Sequence, residues 1–301
     1  MDNIVMLFAC LAIGMALRRF RLAPENAHSA LNVFIIHVAL PAVTLVQVHA
    51  VTLEPALIYA VLMPWIVFGA SAALFWLVGR MLDLPRATTG ALSVLGGLGN
   101  TSFIGLPMIE SFYGASGMPV GIMIDQLGTY LVLSTVGITL ICLYADGAVT
   151  GREIGRRIVT FPPLIALVAA VALMPIDYPG WVSSVLTRLG GTLAPLALVS
   201  VGLQLRLGAL QGVRKPLAMG LGFKLVLAPL LIAVIYVAGF NLRGPTTEIT
   251  VFEAAMAPQI GGSIVAIQYG LDAKLISLMV GIGTVASFLT LPVWWRLMAG
   301  L

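Results

Sequence analysis

Hydrophobic residues run along this chain in long blocks that short polar or charged breaks separate. A block of about 20 apolar residues is long enough to cross the hydrocarbon core of a bilayer as a helix. We therefore predict an all-α membrane protein with ten transmembrane spans. Their approximate bounds are residues 3–20, 27–48, 55–78, 87–113, 119–144, 159–174, 181–205, 215–240, 248–269 and 273–298.

Lysine and arginine are distributed unevenly between alternate breaks. Of these 16 residues, twelve follow odd-numbered spans, three lie on the opposite side, and Lys224 falls within the eighth span. Positively charged loops face the cytoplasm. We therefore predict a multi-pass protein with both termini on the extracytoplasmic side, and we expect the membrane to be a bacterial-type inner (plasma) membrane. The first block is expected to be a retained span, because its arginines follow it instead of preceding it.

The composition excludes several classes of protein. Hydrophobic residues make up 60% of the chain and charged residues 9%, whereas soluble domains carry roughly 25% charged residues. No basic run is long enough to follow a phosphate backbone, so nucleic acid is not an expected partner and membrane lipid is. Cys10 and Cys142 lie within apolar blocks and indicate no disulfide framework.

The two halves of the chain resemble each other weakly. Tyr113-Gly114 before span five matches Tyr269-Gly270 before span ten, at an offset of 156 residues. With five spans in each half, the second half must insert upside down, which is the inverted repeat of secondary transporters. We predict a first five-helix repeat at 1–144, a cytoplasmic linker at 145–158 and a second, inverted repeat at 159–301, all within one membrane unit.

Spans four and nine are the least regular apolar segments. The first contains GGLGNTSFIGLPM and the second EAAMAPQIGGS, each with a proline, glycines and small polar residues at mid-membrane depth. Proline and glycine weaken a helix, and freed backbone groups are costly in hydrocarbon. A single such segment would be an ordinary kink. A pair in corresponding spans predicts discontinuous helices that line a binding site.

At these segments the sequence resembles the auxin efflux carrier family of membrane transporters. The resemblance covers the whole chain and is strongest in NTSFIGLP, residues 100–107. Further matches are Tyr113-Gly114, Ala257-Pro258, the residues 269–272, Ser287, Leu291 and Pro292. It implies two inverted five-helix repeats, a scaffold and a transport bundle, and crossing fourth and ninth helices with unwound centres. The implied fold is similar to that of bile acid–sodium symporters.

The resemblance also implies a substrate class. Bacterial members of the family are linked to small organic anions such as malonate and malate, and plant members to auxin. This chain lacks the long central hydrophilic loop of many plant carriers, which favours a compact member that resembles the malonate and malate permeases.

Two half-helix N-termini that meet at the bilayer centre would suit a carboxylate, because they present unpaired N–H groups and positive dipole ends. Asn100 is the first candidate contact, since its amide both donates and accepts, and Gln259 is its counterpart. The predicted substrate-binding residues are Asn100, Thr101, Ser102, Pro107, Lys224, Pro258, Gln259, Gly261, Gly262 and Ser263.

Four ionisable residues within apolar spans are functional candidates by default: His37, Asp125, Lys224 and Glu253. Lys224 is compatible with three roles, namely contact with the substrate carboxylate, pairing with Asp125 or Glu253, or extension to the membrane surface. Asp125 is a proton or cation carrier or a structural partner. His37 is a packing residue or a proton relay.

The candidates for coupling an ion are His37, Asp125, Glu253 and Gln259, of which the last two match an acidic residue and a glutamine that the related symporter fold uses for sodium. We expect Na⁺, H⁺ or no coupling ion, and no cofactor and no metal site beyond Na⁺.

The sequence therefore predicts a secondary active transporter of a small organic anion, a dicarboxylate such as malonate or malate, that works by alternating access. Alternatives are an auxin-like or other monocarboxylate exporter or uniporter, and an anion channel. An intramembrane enzyme is disfavoured, because the chain has no HExxH or GxSxG motif. A homodimer through spans one, two and seven is a candidate assembly.

Overall fold

The computed structural model describes residues 2–24, 26–49, 57–145, 152, 155–156, 159–204 and 212–300, and this part of the chain is helical, with no named strand. Its helical segments are α1 (Asp2–Arg19), α2 (27–49), α3 (Ile58–Met81), α4 (Arg86–Gly97), α5 (101–113), α6 (Met118–Tyr144), α7 (Pro162–Leu173), α8 (Gly180–Gly191), α9 (Leu193–Gln204), α10 (Arg214–Gly239), α11 (Pro245–Ala254), α12 (Ile260–Gln268) and α13 (Ala273–Met298).

Six helical stretches in the described residues are long and apolar enough to cross a membrane by length and composition. They are Ala27–Val46, Ile58–Met81, Met118–Tyr144, Gly180–Ser200, Arg214–Gly239 and Ala273–Met298. They fall on the predicted spans two, three, five, seven, eight and ten. An all-helical membrane architecture is thus supported, and the arrangement of ten spans as inverted repeats stays a prediction.

Some element boundaries differ from the predicted ones. The third span ends at Met81 instead of 78. The ninth span begins at Pro245 instead of 248. Proline is favoured at the first position of a helix, because the N–H that it lacks would have no partner within the helix there. Most of the predicted linker 145–158 lies outside the described residues.

Several of the long helices contain π-helical turns. They are Ile35–Ala39, Thr101–Gly105, Ile124–Thr129, Leu133–Gly137, Phe223–Leu227 and Val234–Gly239. A π turn inside an α-helix often marks a functional site. Here such turns carry His37, Thr101, Asp125 and Lys224, so several candidate polar residues stand where the helical repeat is interrupted.

The chain divides into two compact units, and each unit takes segments from both halves of the sequence. One unit comprises Met1–Thr52 and Val149–Leu205, and the other comprises Leu53–Ala148 and Arg206–Leu301. The first unit holds α1, α2 and α7–α9, and the second holds α3–α6 and α10–α13.

Close backbone contact holds the first unit together. Gly14 of α1 and Gly202 of α9 face each other so closely that a Cβ on either would collide with the backbone of the other helix. Small residues allow such approach between membrane helices. The hydroxyl of Ser200 donates to Asn32 Oδ1 at 2.6 Å, which joins α9 to α2.

The second unit is built around two short helix pairs, α4–α5 and α11–α12. Helix α4 packs against α3, α6, α10, α12 and α13, and α11 packs against α3, α10 and α13. Asp272 fixes the start of α13, since it accepts from Leu275 N at 3.0 Å and from the Thr88 hydroxyl of α4 at 2.8 Å. The unit thereby places the two interrupted helices against each other.

Candidate functional site

The first interruption separates α4 from α5. Helix α4 ends at Gly97, and Leu98 has extended backbone (φ −102°, ψ 121°). Asn100 then starts the next helical segment, with its Oδ1 accepting from Phe103 N at 3.2 Å. The glycines at the end of α4 lower helix propensity, and the asparagine cap favours a new start, so the local sequence accounts for the break.

The second interruption separates α11 from α12. Helix α11 ends at Ala254, and Gln259 has extended backbone (φ −66°, ψ 130°) before α12 begins at Ile260. Pro258 has no N–H to donate, and its ring disfavours helical backbone at Ala257. The proline therefore accounts for the second break.

The two interruptions pair with each other through their backbones. Asn100 N donates to Ala257 O at 2.8 Å, and Gln259 N donates to Leu98 O at 3.0 Å. Between these two bonds, Gly99 and Pro258 form an isolated antiparallel bridge. We call residues 98–100 and 257–259 the crossing. Each interruption thus satisfies backbone groups of the other, as a hydrocarbon environment requires.

Four helix ends of opposite polarity meet at the crossing. Helices α4 and α11 end there and present carbonyl groups, whereas α5 and α12 begin there and present N–H groups. Asn100 caps the start of α5. At α12, by contrast, Gln259 makes no side-chain cap, which leaves the first N–H groups of this helix to another acceptor.

Lys224 supplies a buried positive charge beside the crossing. Its side chain is 1% exposed, and Nζ donates to Ala254 O, the last residue of α11, at 2.9 Å. The same nitrogen would be 3.1 Å from a Cβ at Gly99. Of its three predicted roles, extension to the membrane surface is wrong, because the ammonium is buried and donates to the last carbonyl of α11.

Asp125 is buried and well supplied with hydrogen-bond donors. The Thr101 hydroxyl donates to Oδ1 at 2.6 Å, and the Gln126 amide donates to Oδ2 at 2.7 Å. The Ser102 side chain also hydrogen-bonds to this carboxyl group. Such a set of donors suits an ionised carboxylate, and the contact with Thr101 ties α6 to the start of α5.

Glu253 is the second buried carboxyl group and has a different environment. It is fully buried in the last turn of α11, and its oxygens lie against Gly105, where a Cβ would stand 2.5 Å from Oε1 and 2.7 Å from Oε2. Within the described part of the chain, neither oxygen has a hydrogen-bond partner. Asp125 and Lys224 both interact with it electrostatically.

Two amide atoms at the crossing are buried without a protein partner among the described residues. They are Asn100 Nδ2, a donor, and Gln259 Oε1, an acceptor that lies 2.9 Å from the Cβ position of Gly262. Nearly all buried polar atoms in proteins are hydrogen-bonded. The two unpaired atoms therefore identify the crossing as a place where a ligand can bind.

The second unit contains all the sequence-predicted site residues except one. Gly261, Gly262 and Ser263 form the first turn of α12, and the Ser263 hydroxyl donates to Ile260 O at 2.7 Å, so it is already used within the helix. Pro107 is the second residue of the helix Leu106–Tyr113. His37 lies instead in the first unit, exposed, with Nδ1 3.0 Å from Val33 O.

Sequence reasoning missed several residues that shape the site. Gly105 lies against the carboxyl group of Glu253, the Gln126 amide donates a hydrogen bond to Asp125, and the carbonyl of Ala254 accepts one from the Lys224 ammonium. A glycine within an apolar helical stretch and an amide beside a buried aspartate were the available signals. Among the described residues, no group of three or more His, Cys, Asp or Glu side chains is placed to hold a metal ion.

Comparisons with known proteins agree with this architecture. The family described as "Membrane transport protein" matches residues 1–147 and 148–295. An uncharacterized transporter of Methanothermobacter thermautotrophicus is 28% identical over 299 residues, covering 97% of this chain and 96% of its own length. An uncharacterized transporter of Methanocaldococcus jannaschii is 24% identical over 314 residues, covering 99% of each chain. The chain therefore belongs to the membrane transport protein family of the auxin efflux carriers, and it is a multi-pass membrane protein.

Proposed function

We propose that the protein is a secondary active transporter that carries a small organic anion, a dicarboxylate such as malonate or malate, across the membrane. One observation carries this proposal. In the part of the chain that the structure describes, the amide donor of Asn100 at the crossing is buried without a partner.

The charges at the crossing favour an anion. The first N–H groups of α12, at Ile260, Gly261 and Gly262, form the positive end of a helix dipole. Asn100 Nδ2 adds a neutral donor, and the Lys224 ammonium adds a full positive charge beside Gly99. A carboxylate has two oxygens that accept several hydrogen bonds, so it can use donors from both interrupted helices.

The proposed mechanism is alternating access, in which the crossing is exposed first to one side of the membrane and then to the other. The unit that contains α3–α6 and α10–α13 carries the crossing and is the transport bundle in this proposal, and the other unit is the scaffold. The charge distribution of the loops supports a bacterial-type inner membrane with both termini outside.

Uptake into proteoliposomes tests the proposal. The purified protein is reconstituted, and uptake and exchange of labelled malonate and labelled malate are measured beside protein-free liposomes. We expect saturable uptake that Asn100→Ala abolishes. Asn26→Ala is the matched control, because Asn26 is exposed and makes no cap to its helix. Folded protein that neither takes up nor exchanges either acid would contradict the proposal.

A further inference from the structure

The two buried carboxyl groups of the site are not equivalent. Asp125 accepts hydrogen bonds from the Thr101 hydroxyl and the Gln126 amide, whereas Glu253 accepts none among the described residues. A buried carboxylate is costly unless donors or a paired charge compensate it. Asp125 thus has hydrogen-bond donors that compensate a buried negative charge, and Glu253 has none among the described residues.

The position of Glu253 in its helix adds to this cost. The residue stands in the last turn of α11, where the helix dipole is negative and disfavours an anionic side chain. One of the three N–H donors of Lys224 binds the carbonyl of Ala254, at 2.9 Å. Among the described residues, neither oxygen of Glu253 accepts a hydrogen bond from this ammonium or from any other donor.

Lys224 and Asp125 both act on Glu253 electrostatically. With Lys224 as an ammonium and Asp125 as a carboxylate, the formal charges of these two groups cancel without Glu253. With Glu253 neutral, the cluster has no net charge. With Glu253 ionised, it has a net negative charge, which repels an incoming anion.

We propose that Glu253 is the proton-binding site of the carrier and that H⁺, not Na⁺, is the ion carried with the anion. This inference rests on the proposed function. Glu253 takes up a proton on the side where the anion binds and releases it after the anion has left on the other side. Proton binding and anion binding each favour the other by the same factor, so the carrier that reorients is loaded with both and moves them in the same direction.

In this proposal, Tyr113 and Glu248 pass the proton between Glu253 and the N-terminal end of α11. Glu248 lies in the first turn of this helix and is partly exposed. The buried hydroxyl of Tyr113 has no hydrogen-bond partner among the described residues, and it interacts electrostatically with both Glu248 and Glu253. A water molecule or a change of side-chain rotamer would connect these three groups for proton transfer.

The described helices packed against α11 are α3, α6, α10 and α13. Apart from Asp125 and Lys224, their charged residues stand in the first or last turn of their helices, namely Arg80, Arg214, Lys215, Lys274 and Arg296. The groups that face Glu253 are thus Lys224, Asp125 and Tyr113. We therefore assign an effect of pH on transport first to Glu253, because its carboxyl group has no hydrogen-bond donor among the described residues.

Transport in sodium-free proteoliposomes that contain a pH-sensitive dye tests the inference. An inward proton gradient is imposed with the membrane potential clamped, and labelled malonate and malate are supplied. We expect wild-type protein to concentrate substrate and to acidify the lumen as it does so. Glu253→Gln, which keeps the size of the side chain, should lose both effects, and its remaining exchange should no longer depend on pH. Glu110→Gln is the matched control, since Glu110 is exposed in the same unit.

The outcomes separate the two proposals. Absence of both uptake and exchange in the wild type overturns the proposed function. The proton inference alone is overturned if the wild type exchanges substrate but a proton gradient does not drive accumulation, or if a sodium gradient drives accumulation instead. It is also overturned if Glu253→Gln still accumulates substrate under a proton gradient. If Glu253→Gln does not fold, the ratio of protons to substrate in the wild type decides, because a ratio of zero excludes proton symport.

Discussion

Gly105 lies directly beneath the carboxyl group of Glu253. A Cβ at position 105 would stand 2.5 Å from Oε1 and 2.7 Å from Oε2. This contact joins α5 to α11, so it links the two interrupted helices a second time, apart from the backbone pairing at the crossing. The absence of a side chain at position 105 is therefore what makes room for the buried acid.

Gly105→Ala is expected to destabilise the protein and to weaken proton coupling, because the new methyl group displaces the Glu253 side chain. Overpacking of a buried site costs about 1–3 kcal/mol. Thermal unfolding in detergent and proton-driven uptake measure the two effects. Gly69→Ala is the control, since a Cβ there meets nothing within 4 Å and alanine improves an exposed helical position. Equal behaviour of the two variants would contradict the prediction.

Asn100→Asp separates the cap from the donor. The new carboxylate oxygen can still accept from Phe103 N, which Asn100 Oδ1 does at 3.2 Å, but the buried donor Nδ2 is lost. We expect the folded protein to lose binding of malonate, because the new aspartate carboxylate repels the substrate carboxylates. Ligand-induced thermal stabilisation is the measurement, and stabilisation by malonate equal to that of the wild type would rule out Asn100 as a contact.

Lys224→Met is expected to lower stability strongly. It leaves the end carbonyl of α11 without its donor and removes the buried cationic group that acts on Glu253. Removal of one member of a buried charged group costs about 3–5 kcal/mol. Lys215→Met, at an exposed position in the first turn of the same helix, should change stability by about 0.5 kcal/mol or less. Comparable unfolding temperatures for the two variants would count against a structural role for the ammonium.

Thr101→Val tests the link between α5 and α6. The hydroxyl donates to Asp125 Oδ1 at 2.6 Å, and a hydrogen bond to a charged group contributes about 1.5–3 kcal/mol. We expect Thr101→Val to lose about this much and Thr101→Ser to retain most of it. Thr139→Val, which removes only a bond to the Thr135 carbonyl, should cost less. A valine variant as stable as the wild type would contradict a stabilising role for the hydroxyl, because valine keeps the methyl group of Thr101 and lacks its hydroxyl.

The sequence was informative about where the helices break and less so about what the breaks do. Pro258 and the glycines before Asn100 predict interruptions by backbone chemistry alone, and both occur there. The backbone hydrogen bonds from Gln259 N to Leu98 O and from Asn100 N to Ala257 O were not predictable, because they depend on tertiary proximity of segments far apart in the chain.

Side-chain roles were predictable only in part, because position in a span does not give direction. Lys224 was compatible with three roles until the structure showed its bond to Ala254 O. His37 and Glu253 looked alike as ionisable residues in apolar blocks, yet one is exposed in the first unit and the other fully buried in the second. A π turn also shifts the face that a helix presents, which simple periodicity does not include.

The backbone pairing at the crossing has a consequence for synthesis of the protein. Leu98 O and Asn100 N, in the first half of the chain, are bonded to Gln259 N and Ala257 O in the second half. Most of the polypeptide must therefore be synthesised and inserted into the membrane before the backbone groups at the first interruption can form these hydrogen bonds. Until then, its polar groups must be shielded by water, lipid headgroups or a chaperone, so a chain truncated before residue 257 should be a target for quality-control proteolysis.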